Sequence, residues 1–202
     1  MKKILLILTA ILVLTFPANS IANSSVWLVD YDHTSVTFGV KHMGLAMVRG
    51  IVPDVKGTIT LSDNPNHSVQ LDLKFNAESL YTGITKRDDH LKSADFLNVS
   101  HHPILTFVSN GTAPVGKEQV NITGNLTMNG VTKEVTVLFT GPTDEVIDPW
   151  GNRRIGATVT GKLKTADFGL NWNKPMPTGG MVIGDTIEVT MDLEVAIPPE
   201  KK

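Results

Sequence analysis

The residues able to do chemistry in this chain crowd into one stretch, Glu78–Pro103. It carries Arg87, Asp88, His90, Asp95, His101 and His102 around the apolar anchors Leu91 and Phe96. On either side the chain alternates apolar and polar residues, so the segment interrupts a β-rich pattern. Such insertions are where binding and catalytic groups concentrate. Metal binding is the first chemistry to weigh, because His33 and His42 could join His90, His101 and His102 as imidazole ligands. Adjacent histidines on a strand, however, point to opposite faces. The chain has no His-x-x-x-His pair and no cysteine, so the spacing of a zinc site is missing and neither a metal nor another cofactor is expected. Hydrolysis is the second. Ser, His and Asp are plentiful, but no Gly-x-Ser-x-Gly elbow occurs, and Asp88-Asp89 diverge if helical. Phosphate loops and dinucleotide fingerprints are also missing. No catalytic residue is therefore assigned.

The elements around the segment are strands. Val36, Phe38 and Val40 alternate with polar or small residues, as do Val69, Leu71, Leu73 and Phe75. The same period of two runs through Val120, Ile122, Leu126 and Met128, through Val135, Val137 and Phe139, and through Ile187 to Val195. One wet and one dry face per strand is the antiparallel signature. Asp63–Asn66, Asn110-Gly111, Asn129-Gly130 and Asp148–Gly151 punctuate the runs, and Asn129-Gly130 reads as a hairpin. Helix is expected only at Thr85–Ser93, at Ala94–Asn98 and in a turn at Thr165–Phe168. About eight such strands must close into a barrel or pair as a sandwich around one interior. Periodicity does not distinguish a packed interior from a cavity.

Residues 1–22 read as a signal peptide. Lys2-Lys3 precede an apolar run from Ile4 to Phe16, and Ser20-Ile21-Ala22 supplies a cleavage site after Ala22. The run is shorter than the ~20 residues a bilayer span needs. Residues 23–202 then form one domain, and loss of the two leader lysines moves the formal charge from -2 to -4. A mildly acidic chain without a basic stripe is not expected to bind nucleic acid. With no cysteine, disulfides and thiol chemistry are excluded, and a periplasmic location is expected.

Ordered motifs then narrow the reading. Trp27-x-x-Asp30-x-x-His33 leads into Val36-x-Phe38-x-Val40-Lys41-His42-Met43-Gly44, followed by Val48-Arg49-Gly50. The central stretch adds Thr82-Gly83, Arg87-Asp88-x-His90-Leu91, Asp95-Phe96 and His102-Pro103. Asp167-Phe168-Gly169-Leu170-x-Trp172-Asn173 and Met181-Val182-Ile183-Gly184-Asp185 follow. Together these resemble the YceI-like family of exported, lipocalin-like proteins along the whole of residues 23–202. The resemblance implies an all-β, antiparallel barrel of about eight strands with a short helical cap. It also implies an elongated apolar cavity for an isoprenoid or other long-chain lipid, with quinone-like isoprenoids the associated ligands, and a homodimer. No enzymatic activity is implied. Thr34 stands where a serine is common, and Ile51-Val52-Pro53 where an aromatic often follows Arg49-Gly50; Pro53 suggests an edge or bulge.

On this basis Phe38, Val40, Leu71, Leu73, Phe75, Leu91, Phe96 and Met181 are expected to line the cavity. Arg87, His90, Asp95 and Trp172 are expected at its mouth. The plainer alternative for Glu78–Pro103 is an ordinary crossover in which Leu91 and Phe96 plug the core and Arg87 pairs with an acid. Asn171–Gly184, with Trp172 and two methionines, reads either as a ligand-adaptable loop or as a loose strand connection. The expected role is periplasmic binding, transport or storage of the lipid, with transient contact to a membrane or membrane protein. The rival roles are a metal- or lipid-dependent enzyme using the histidines, and a stress-related interaction module with a solid core.

Overall fold

Alternation of β-branched and polar residues builds a single antiparallel sheet that bends round on itself. The structure is a computed structural model that describes residues 24–62 and 68–199. The expected leader, the Asp63–Asn66 turn and the last three residues lie outside the described residues. The strands are β1 (Ser24–Val29), β2 (Ser35–His42), β3 (Ala46–Val52), β4 (Val55–Ser62), β5 (Val69–Asn76), β6 (Ile104–Pro114), β7 (Gln119–Met128), β8 (Val131–Thr140), β9 (Val146–Ile147), β10 (Arg153–Lys164) and β11 (Ile183–Ile197). One α-helix, α1 (Thr85–Lys92), lies between β5 and β6, and a 3-10 turn spans Thr165–Phe168.

Closure comes from β11, which pairs with β10 along one edge from Thr186 to Ile197. Its other edge is shared. β2 pairs with it between Ile183 and Asp192, and β1 takes over at Val195 and Ala196. β3 and β4 pair with β2 and β1 in turn, so each couple acts as one bent stave. Pro53 falls in the break between β3 and β4, where its missing N–H costs no ladder bond. β9 likewise continues β8 along the same edge of β10. Counting each of these three couples once, the barrel has eight antiparallel staves, as expected.

The inward rows follow the parity read from the sequence, but they divide along the barrel axis. At one end Trp27, Ile59, Val69, Val120, Ile122, Phe139, Leu193 and Val195 are all buried and form a packed floor. Further along the same rows the inward residues face a cavity. Gly50 and Gly124 make room for aromatic rings there. A Cβ at Gly50 would come within 2.4 Å of the Phe38 ring, and one at Gly124 within 2.6 Å of the Phe107 ring.

Asn129-Gly130 is the tight β7–β8 turn, with both residues at positive φ. Asn110-Gly111 is not a turn. It lies inside β6 as a bulge, where the register against β7 slips between Ser109 and Gly111. Ala94–Asn98 is a chain of turns rather than helix, ended by Asn98 at φ 49°.

Candidate functional site

Antiparallel order gathers four connections at the cavity end of the barrel: the β2–β3 turn, residues 77–103, the β7–β8 turn and residues 165–182. Residues 77–103 form the cap. Their two ends are tied by Ala77 N–H donating to the Pro103 carbonyl at 2.9 Å. Tyr81 exchanges two backbone hydrogen bonds with Ile51 at the outer edge of β3, at 2.9 and 3.0 Å.

α1 has only eight residues and no side-chain N-cap. Propensity alone does not hold a helix of this length. Its buried residue is a carboxylate, Asp88, rather than an apolar stripe. Asp88 Oδ1 accepts from Thr82 N at 2.8 Å and from Thr82 Oγ1 at 2.5 Å. Arg87 Nε donates to the same Thr82 Oγ1 at 2.7 Å, and Nη2 to the Thr82 carbonyl at 2.8 Å. Thr82 is thus the clasp that seats α1, and it satisfies both charged residues without an ion pair between them.

A second cluster closes the cap against the opposite wall. His90 Nε2 lies 2.9 Å from Asp95 Oδ2. Its ring stands edge-on to Phe96, with centroids 5.0 Å apart, and to Trp172, with centroids 4.7 Å apart. Phe96 and Trp172 complete the triangle at 5.5 Å. Lys174 Nζ lies 5.8 Å from the Trp172 ring centroid.

Behind these groups is a cavity of about 410 Å³, within the range of small-molecule sites. Its wall is apolar except for Lys41, His42, Arg87, His90 and Thr165. Among the described residues no carboxylate faces it. Phe38, Val40, Leu71, Leu73, Phe75, Arg87, His90, Leu91, Phe96 and Trp172 all line it. Asp95 does not; it stands behind His90 and orients that ring. Met181 is a correction: it is 48% exposed and outside the lining, because the short Pro175–Met181 bridge turns it outward. Its neighbours Val182 and Ile183 face the cavity instead. Sequence reasoning passed over Lys41, His42, Phe107, Leu126, Met128 and Val189. The last three lay on rows already recognised as inward, so parity could have found them.

Among the described residues the histidines do not converge. His101 Nδ1 pairs with Asn98 and Ser100, and the His102 ring packs over Gly130. Among the described residues one group has metal-like spacing, Asp30, His33 and Glu194 at the floor end, with ligand atoms within 4.8 Å of one another. Arg154 already stands between its carboxylates. Nη1 pairs with Asp30 and, at 2.5 Å, with Glu194, while Nε donates to Asp148 at 2.6 Å. Burial pushes Asp30 and Asp148 up, but the donors outweigh it and hold both below the ordinary 3.8: Arg154 and His33 for Asp30, Asn152 and Arg154 for Asp148. The Asp30 hydrogen bond and charge raise His33 above 6.5. Thr34 completes this end, its hydroxyl donating to the Glu194 carbonyl at 3.0 Å and accepting from Glu194 N–H at 3.1 Å.

Comparison with known proteins agrees with the barrel fold. A family model described as the YceI-like domain matches residues 27–195. Protein YceI of Escherichia coli O6:H1 is 37% identical over 169 residues, covering 80% of this chain and 86% of its own length. A crystal structure of the Campylobacter jejuni YceI protein superposes with a TM-score of 0.65 at 26% identity, over 80% of this chain and 90% of that one. A polyisoprenoid binding domain from Saccharophagus degradans, implicated in plant cell wall breakdown, shares the fold with a TM-score of 0.61 at 16% identity, over 85% and 98% of the two chains. With the family model spanning the barrel from Trp27 to Val195 and a relative at 37% identity over most of its length, the chain belongs to the YceI-like family.

Proposed function

We propose that this protein binds a long-chain, isoprenoid-type lipid in the barrel cavity and carries or stores it in the periplasm. The observation that carries the reading is the cavity of about 410 Å³ whose polar groups are confined to five side chains. A long isoprenoid is insoluble, and each methylene moved from water into such a cavity contributes about 0.8 kcal/mol. Affinity can therefore come from the tail, while Lys41, His42, Arg87 and His90 meet a polar head. The description of the Saccharophagus degradans domain as polyisoprenoid binding supports the ligand class. Export rests on the leader-like residues 1–22, and association as a homodimer on the family resemblance.

A binding role also accounts for the charged cap residues without catalysis. Asp88 is spent on Thr82, and Asp95 on His90. The cavity weighs against a solid-core module. The reading is tested by titrating the protein with isoprenoid alcohols of increasing length and following tryptophan fluorescence. Affinity is expected to rise with each unit and then level off once the cavity is filled. Affinity independent of tail length would count against it.

A further inference from the structure

The end of the barrel that holds the cap also presents the most exposed large apolar side chain among the described residues. Met43 and Gly44 take φ of 52° and 70°, which turns the chain within the β2–β3 connection and leaves Leu45 84% exposed. Met43 N–H donates to the Val182 carbonyl at 2.7 Å, so this turn is docked against the segment that carries Met181. Met43 and Met181 are themselves 41% and 48% exposed. Single exposed apolar residues are ordinary, but these three stand on two hydrogen-bonded segments at the rim of an apolar cavity.

Cations flank them. Lys41, two residues before Met43, lines the cavity and packs its stem against Gly184. Lys174 accepts from Val182 N–H through its carbonyl at 3.0 Å and sets its ammonium near Trp172. Neither lysine forms an ion pair among the described residues. The neighbouring carboxylates Asp185 and Asp95 are engaged, with Lys164 at 2.9 Å and with His90. Exposed apolar side chains flanked by two lysines that no carboxylate pairs among the described residues match the interface of an anionic bilayer, with acyl chains below and negative head groups beside them. Three side chains are far fewer than the ~20–30 residues a side of a stable protein interface.

We propose that Met43, Leu45 and Met181, with Lys41 and Lys174, dock the barrel onto an anionic lipid bilayer. Docking there sets the cavity rim against the membrane, so that a lipid passes between bilayer and cavity without crossing water. The proposal rests on the lipid-carrier reading. Its test uses the chain from Asn23 onward, whose barrel closes within residues 24–199, and vesicles of phosphatidylcholine with or without phosphatidylglycerol. Flotation is expected to recover the wild type with the anionic vesicles, less at high salt, and Leu45→Asp about tenfold less. Binding of an isoprenoid alcohol in solution is expected to be equal for both. The proposal is overturned if the wild type ignores anionic vesicles, if Leu45→Asp floats equally well, or if recovery requires membrane protein in the vesicles. Failure of the carrier reading shows separately, as loss of isoprenoid binding by the wild type in solution.

Discussion

The His90 imidazole stands edge-on to the Trp172 indole, centroids 4.7 Å apart and planes at 89°. That contact joins the cap to the loop before β11, two segments separated by five strands of sequence. Asp95 holds the imidazole from behind, so the ring pair fastens the cap across the cavity end. Aromatic pairs contribute about 0.5–1.5 kcal/mol beyond their burial. Trp172→Ala is therefore expected to cost modest stability and to speed exchange of a bound lipid several-fold. Stopped-flow displacement measures this, and unchanged exchange would remove the cap from any gating role.

Thr82 offers a sharper test of how the cap is seated. Its hydroxyl serves Arg87 and Asp88 together. Thr82→Val keeps the shape and deletes the oxygen, leaving both charged partners short of a hydrogen bond. A loss of about 1–3 kcal/mol is expected in denaturant unfolding. Thr82→Ser should recover most of it. Equal stability of all three proteins would show that the clasp is incidental.

Most of the barrel was legible in the sequence because period-two alternation is a direct consequence of strand geometry. Phe38, Val40, Leu71, Leu73 and Phe75 could be aimed inward by parity alone. Parity does not reveal the division between floor and cavity. Val69 and Leu71 read alike, yet one packs against the floor and the other faces the cavity. That difference depends on what arrives from other strands, including Trp27 and Phe139. Met181 was misplaced because a two-residue bridge, not a long ladder, sets its direction. Asn110-Gly111 looked like a turn because bulges use the same residues as turns. The Arg154 network was invisible for another reason: its partners Asp30, Asp148 and Glu194 are far apart in sequence.

The Val189→Phe substitution tests whether the cavity is the site. Val189 lines it from the middle of β11 and is only half-buried. The larger ring has room to enter, so the fold should persist while lipid affinity falls at least tenfold, about 1.4 kcal/mol. Circular dichroism and the same fluorescence titration check both halves. Full affinity with a native spectrum would place the ligand elsewhere.

The floor network predicts a pH response of stated sign. Asp30 and Asp148 have folded values below the ordinary 3.8. Their contribution is present above that pH and disappears as pH falls through the folded values. His33 moves the other way: held above 6.5, it stabilises below that pH and loses the effect as pH rises through its folded value. Arg154→Gln should therefore flatten the acid limb of the stability profile, and His33→Asn should flatten the alkaline shoulder. Profiles parallel to the wild type would disconnect these groups from folding.

The central claim is that the cavity holds a long-chain lipid, and its most direct test is mass spectrometry of an organic extract from the purified protein. The wild type, purified without detergent from its native host, is expected to release an isoprenoid-type lipid in near-stoichiometric amount, and Val189→Phe prepared in parallel to release much less. An extract free of lipid, or equal lipid from both proteins, would contradict it.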